Sequence, residues 1–127
     1  MDQPLFQTGH GSVGNQSYQN PLRFAIEWSG SKALADIGHL DAYRTVYPDE
    51  VAKPGNTWMP HYPAETPGRQ DYGNQVLDRI DRMYFSRSGL NCKSAALVSG
   101  ADGNREVRLN ADWHSDHWAV LAGFDVN

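Results

Sequence analysis

The sequence predicts an α/β fold of the α+β kind, in which a mixed β-sheet packs with one or two short helices. Three observations carry this prediction. Apolar residues recur with helical spacing over residues 31–37, a proline-rich stretch follows, and β-type segments then dominate from residue 79 onward. With 127 residues, of which 39% are hydrophobic, the chain can form one domain with a modest core.

Two parts of the chain lack a regular pattern. Residues 1–20 are rich in Gly, Gln, Asn and Ser, so we expect a flexible arm or loop there, with the domain over residues 21–127. Five prolines between Pro48 and Pro67 punctuate a long irregular stretch in which only Thr57-Trp58 has strand character. Long loops in a small domain often carry function.

A short helix is predicted over residues 31–37. Ser29 or Ser31 is expected to cap its start, because a serine oxygen can accept a free backbone N–H. Gly38 is expected to end the helix in the left-handed conformation.

Four strands are predicted, near residues 79–86, 92–98, 105–109 and 117–124. Asp102-Gly103 is typical of a tight turn between two of them. The first strand contains Asp81, and the last opens on Asp116-His117. Charge inside a strand is costly unless it is paired or used, so the two segments together indicate a shared polar site.

Composition restricts the classes of binding partner and the cellular compartment that we expect for this chain. The net charge of −4 argues against a broad basic surface for nucleic acid, but a phosphoester site that uses a bound cation stays open. Cys92 is the single cysteine, so no intrachain disulfide forms. The start of the sequence does not resemble a signal peptide and no apolar run is long enough to span a membrane, so we expect a cytoplasmic protein.

Several short motifs follow one another along the chain in the order in which they occur in a known protein family. They are Leu40-Asp41-Ala42-Tyr43-Arg44, Gly55-Asn56-Thr57-Trp58, Arg79-Ile80-Asp81 and Ser115-Asp116-His117. Over roughly residues 24–127 the chain resembles the carboxy-terminal half of the endonuclease/exonuclease/phosphatase superfamily, to which DNase I belongs. The family's Gly-Asp-Phe-Asn motif and its earlier metal-binding Glu are not found in the sequence. The resemblance therefore implies half of a DNase I-like sandwich.

The same resemblance implies metal-dependent hydrolysis of a phosphoester. His117 would act on the phosphoryl group, and Asp81 would orient the His117 ring. Asp116 would lie beside a catalytic Mg²⁺ or Mn²⁺ ion, and Arg79 and Thr57 would contact substrate. A carboxylate on one imidazole nitrogen fixes the tautomer and stabilises the imidazolium, which suits this work.

Other interpretations of these residues stay open. His117 could be an ordinary surface residue, Asp116 could cap a strand end, and Arg79 could pair with Asp78 or Asp81. A zinc site is a further alternative, with four potential ligands: Asp112, His114, Asp116 and His117. The remaining histidines, His10, His39 and His61, show no partner pattern and are predicted to be solvated.

The function also has an alternative of another class. Lacking the family's amino-terminal metal ligands, the chain could be a non-catalytic binding or assembly module, or one subunit of a split enzyme. One short helix cannot cover the predicted sheet, so an apolar face is expected to stay exposed. A homodimer or a complementary half-domain would cover that face.

Overall fold

The fold is mixed α+β, as the sequence predicts. The computed structural model describes residues 27–58, 79–101 and 105–127 with their side chains. It also describes the backbone of five strand segments, at residues 5–9, 12–13, 16–17, 22–26 and 76–77. The helices and strands below are those of the described residues.

The elements alternate irregularly along the chain. In order they are β1 (Leu5–Gly9), β2 (Ser12–Val13), β3 (Gln16–Ser17), β4 (Leu22–Ile26), α1 (Ser29–Asp36), β5 (His39–Asp41), α2 (Ala42–Val46), β6 (Val76–Leu77), β7 (Tyr84–Ser86), β8 (Leu90–Ser99), β9 (Val107–Arg108) and β10 (Ala119–Val126).

The central sheet is mixed and has the order β10-β8-β9. Strand β10 pairs antiparallel with β8 over almost its whole length, whereas β9 pairs with β8 in parallel. Three smaller sheets complete the set: β4-β1-β6, β2-β3 and β5-β7. The predicted strands at 92–98, 105–109 and 117–124 thus correspond to β8, β9 and β10, with ends shifted by a few residues.

The core lies between helix α2 and the face of β8 and β10. Tyr43 of the helix packs with Ala95 and Leu97, and Ala42 packs with Cys92 and other apolar residues. Successive side chains of a strand point to opposite faces of the sheet, so Cys92 and Ala95, three positions apart, would ordinarily lie on different faces. The pairing register between β8 and β10 shifts at the Gly123–Phe124 step, and this bulge turns both side chains toward the helix.

Helix α1 confirms the predicted helix, but its start differs. It begins at Ser29 rather than at 31, and the residue in the cap position is Trp28, whose side chain makes no capping hydrogen bond. The hydroxyl of Ser31 instead accepts a hydrogen bond from Arg82. Gly38 follows the helix with φ +84°, the left-handed conformation expected of a glycine there.

Two predictions about local structure need correction. Residues 1–20, predicted as an arm or loop, include strand β1, which pairs antiparallel with β4. His39, predicted to be solvated, begins β5 and is half-buried. The predicted turn at Asp102-Gly103 and the predicted solvated residues His10 and His61 lie outside the described residues.

The predicted strand at 79–86 is wrong over its first five residues. Only Tyr84–Ser86 forms a strand, β7, and it pairs with β5. The backbone N–H groups of Ile80 and Asp81 donate to the hydroxyl of Thr57 rather than to a neighbouring strand. These two N–H groups are therefore not available for pairing with another strand. The alternation of charged and apolar residues in this segment resembles that of a strand, but no strand forms there.

No helix in the part of the chain that the structure describes is both long and apolar enough to cross a membrane.

Candidate functional site

The centre of the candidate site is a contact between Asp81 and His117. One carboxylate oxygen of Asp81, Oδ2, lies 2.7 Å from Nδ1 of the His117 ring. This confirms the contact that the sequence predicts between the two side chains. The side chains are 43% and 37% exposed, so the pair lies at the surface and solvent reaches it. An acceptor at Nδ1 fixes the proton there and leaves Nε2, across the ring, to face a ligand.

The backbone N–H and carbonyl groups of His117 are both held by hydrogen bonds with nearby side chains. Its N–H donates to the hydroxyl of Ser115 over 3.0 Å, and its carbonyl accepts from Nε1 of Trp113 over 2.7 Å. His117 also forms an isolated antiparallel bridge with Trp58, just before β10 begins. With both backbone groups fixed, the imidazole starts from a defined position.

Thr57 joins the segment that carries Asp81 to the segment that carries His117. Its hydroxyl accepts from the backbone N–H groups of Ile80, over 3.1 Å, and Asp81, over 2.9 Å. Its carbonyl accepts from the N–H of Trp118 over 2.7 Å. Thr57 is fully buried. It therefore positions the pair, and the prediction that it contacts substrate needs correction because no part of it is accessible.

Arg44 fastens the loop that leads to Thr57. Its guanidinium donates to three backbone carbonyls, those of Tyr47, Lys53 and Pro54, over 2.8, 2.7 and 2.5 Å. These contacts close the irregular stretch after helix α2 into a compact turn. The position of Thr57 is therefore set by helix α2 as well as by the strands.

Arg79 does not face the site. Its Nη2 lies 2.5 Å from Oδ1 of Asp41, and the two side chains are 2% and 11% exposed. The same Asp41 oxygen accepts from the backbone N–H of Arg44 and so caps helix α2. The guanidinium of Arg79 also lies over the ring of Tyr43, 5.5 Å from its centroid. Arg79 thus has a structural role, and its burial is not consistent with the predicted substrate contact. Among the described residues its carboxylate partner is Asp41 and not Asp81, while Asp78, the other alternative, lies outside the described residues.

Trp113, whose Nε1 donates to the carbonyl of His117, is itself packed against other side chains, and this packing could not be predicted from the sequence. Its ring lies 6.0 Å from that of Trp118, and the Arg105 guanidinium lies 5.4 Å from the Trp118 ring centroid. Gly100 leaves room for Trp113, because a Cβ at that glycine would lie 2.7 Å from the Trp113 Cβ. Because residues 112–116 form neither a helix nor a strand, the spacing of four residues between Trp113 and His117 does not indicate this support.

Asp116 is exposed and lies next to the pair in sequence. In the described ranges, no three His, Cys, Asp or Glu side chains lie close enough together to hold a metal ion, including the predicted zinc set at residues 112–117. The described residues therefore do not by themselves form the octahedral oxygen site that Mg²⁺ needs. Asp116 is the one predicted metal ligand among them.

The pKa of Asp81 lies below its ordinary value. Partial burial raises the pKa, but hydrogen bonds from His117 and Thr57 stabilise the carboxylate and outweigh that effect. A lowered pKa in the folded state means that the ionised carboxylate adds stability above the ordinary pKa of an Asp. That contribution disappears as the pH falls through the folded-state pKa.

We therefore expect Asp81→Asn to remove part of the acid sensitivity of the protein. The difference in free energy of unfolding between the parent and the variant should be largest above the ordinary pKa of an Asp side chain, about 3.9, and should shrink as the pH falls below that value. Denaturant unfolding followed by circular dichroism at a series of pH values measures it. A difference that stays constant over this range would contradict a lowered pKa at Asp81.

Comparison with known proteins adds little. No family model matches the sequence, and no solved structure matches the chain. The chain is similar to an uncharacterized protein of Caenorhabditis elegans, with 27% identity over 109 residues. The match covers 80% of this chain and 32% of the relative, so the chain spans about a third of the length of the curated protein it matches.

Proposed function

We propose that this chain carries part of the active site of a metal-dependent phosphoester hydrolase of the endonuclease/exonuclease/phosphatase type. One observation supports the proposal above the others: Oδ2 of Asp81 lies 2.7 Å from Nδ1 of His117, at the surface. The two residues belong to the motifs Arg79-Ile80-Asp81 and Ser115-Asp116-His117, on which the family resemblance rests. The backbone supports from Thr57 and Trp113 fit a pair that must keep its geometry.

The chemistry follows from the pair itself. Asp81 accepts a hydrogen bond from the Nδ1–H group of His117 and stabilises the ring when it is charged. Nε2 of the imidazolium then donates a hydrogen bond to an oxygen of the phosphoryl group. Negative charge builds on those oxygens as the phosphorus is attacked, so a fixed cation facing them lowers the barrier.

The proposed reaction also needs a divalent cation, and the described residues do not make a site for one. Asp116 offers a single exposed carboxylate, whereas metal-assisted phosphoryl transfer requires several fixed ligands.

We expect the isolated chain to bind phosphate but not to turn over a phosphodiester. Inorganic phosphate should shift the ring signals of His117 in a saturable titration followed by NMR. Asp81→Asn should weaken that binding by about tenfold, because it removes the charge that stabilises the imidazolium. Bis(p-nitrophenyl) phosphate with Mg²⁺ or Mn²⁺ should show no hydrolysis above background.

Three controls sharpen this test. His117→Gln identifies the signals of the His117 ring, and His114→Gln provides a matched variant at a nearby exposed histidine. Phosphate binding, followed in this variant on the NMR signal of the phosphate itself, that His117→Gln leaves unchanged would overturn the proposed function. Hydrolysis that His117→Ala abolishes would show that the chain is a complete enzyme and that the expected inactivity is wrong.

A second candidate function is an assembly module, and one exposed surface favours it. Leu121 of β10 is 52% exposed on the sheet face that points away from helix α2, and it lies opposite Ala96 of β8. Ala119 of the same strand is also exposed and shares that face. A second copy of the chain, related by a two-fold axis, would bury this apolar face.

We expect a homodimer if this face is an interface. Size exclusion with light scattering at tens of micromolar should then give about twice the monomer mass of 14.2 kDa. Leu121→Asp should yield the monomer, while Ile37→Asp, at a still more exposed position after α1, should leave the dimer intact. A monomeric parent protein at this concentration would exclude the dimer.

A further inference from the structure

A groove lies near the candidate site, between helix α1, together with Trp28 just before it, and the segment from residue 79 to 84. Its volume is about 470 Å³, within the range of small-molecule pockets. Among the residues that the structure describes, four side chains form the apolar part of its lining: Trp28, Leu34, Ile80 and Tyr84.

Two of these side chains are unusually open for their size. Trp28 is 46% exposed and Ile80 is 56% exposed, although both line a concave surface. Single exposed apolar residues are common on protein surfaces, but several exposed apolar side chains that line one cavity are typical of a binding site. Aromatic side chains contribute the largest share of contact energy in such sites.

The groove also carries a positive charge. The guanidinium of Arg82 lines it and is held by the hydroxyls of Ser31 and Tyr84 and by the carbonyl of Arg79. No carboxylate in the described part of the chain lies within ion-pair distance of Arg82, although the buried Glu50 is close enough to interact with its charge, whereas the charge of the neighbouring Arg79 is matched directly by Asp41. The site therefore favours a ligand that is apolar and anionic.

The groove and the Asp81–His117 pair are adjacent. Ile80 of the groove precedes Asp81 directly, and neighbouring Cα atoms are about 3.8 Å apart. The described lining of the groove includes neither Asp81 nor His117, so a ligand that occupies both places must extend past Ile80 to reach the His117 ring.

We propose that this groove binds the aromatic ring of an aryl phosphoester whose phosphate lies at His117. The phosphate end of this proposal rests on the proposed function, and the aromatic end rests on the groove alone. An aromatic ring fits better than an aliphatic chain, because it can stack on Trp28 or Tyr84 and contact the Arg82 guanidinium through its π face. The volume admits one ring system with its linker rather than a long acyl chain.

The test compares three probes by ligand-observed NMR: benzylphosphonate, methylphosphonate and benzyl alcohol. None of them can be hydrolysed, so binding is measured without turnover. We expect benzylphosphonate to bind about tenfold more tightly than methylphosphonate, because its ring is buried in the groove. Trp28→Ala should abolish that advantage and leave methylphosphonate binding unchanged. Trp28→Phe should retain most of the advantage, because it keeps an aromatic face.

Controls separate the groove from the phosphate site. Ile37→Ala alters an exposed apolar residue outside the groove and should change nothing. Equal binding of the two phosphonates, or a ring advantage that survives Trp28→Ala, would overturn the groove proposal. If His117→Gln leaves methylphosphonate binding unchanged, the proposed function fails. A ring advantage that depends on Trp28 in that same experiment would still support the groove.

Discussion

We expect Arg79→Met to lower the free energy of unfolding by about 3–5 kcal/mol, more than any other substitution considered for this chain. Arg79 is 2% exposed, and its Nη2 lies 2.5 Å from the carboxylate of Asp41, which is itself largely buried. Removing the guanidinium leaves that carboxylate buried without its cation. It also removes the packing of Arg79 on the ring of Tyr43, a fully buried core residue. Chemical denaturation measures the effect.

Lys32 provides the matched control. Its amine lies 3.0 Å from Asp36, but the two side chains are 48% and 61% exposed. Solvent screens such a pair, so Lys32→Met should cost about 0.5 kcal/mol or less. Arg79→Lys should fall between the two, because it keeps the charge but loses the planar group that lies over Tyr43. A loss below about 1 kcal/mol for Arg79→Met would show that the buried pair is not the anchor that its geometry indicates.

We expect Thr57→Val to lower the free energy of unfolding by about 2–4 kcal/mol and to disturb the Asp81–His117 pair. Valine has nearly the same shape, so the change removes the hydroxyl and little else. The backbone N–H groups of Ile80 and Asp81 then lose their acceptor. Because the Asp81 segment is fixed by that acceptor, its carboxylate should also move away from the imidazole.

Thr57→Ser tests the cause. Serine keeps the acceptor oxygen and loses one buried methyl group, which costs about 1 kcal/mol. Denaturation should therefore separate the two variants clearly. The phosphate titration at His117 should weaken in Thr57→Val and persist in Thr57→Ser. Equal effects of both variants would mean that Thr57 acts through packing and not through its hydroxyl.

The contact between Asp81 and His117 could be predicted from the sequence, but the way it is built could not. The order of the short motifs indicated that the two residues belong to one site. The prediction then placed Asp81 in a strand next to the strand of His117, whereas the residues lie in segments without a shared ladder. Alternation of charged and apolar residues does not reveal that a threonine hydroxyl takes the backbone hydrogen bonds.

The ion-pair partner of Arg79 could not be predicted from the sequence, for a different reason. The sequence indicated nearby acids, Asp78 and Asp81, yet the carboxylate that binds Arg79 belongs to Asp41, 38 positions earlier. Local spacing predicts pairs within a helix or across a tight turn, and it carries no signal for pairs that the fold brings together. The same holds for Trp113, whose ring nitrogen reaches the carbonyl of His117 only because the chain turns back there.

Three backbone amides, those of Ile80, Asp81 and Trp118, find their acceptors on one residue, Thr57. A local opening that moves Thr57 therefore frees all three together and separates the carboxylate from the imidazole. The long β8–β10 ladder contributes no bond to this junction and can stay closed while it opens. The lifetime of the intact pair is thus set by a local opening, which depends on one buried side chain and on a loop held by Arg44.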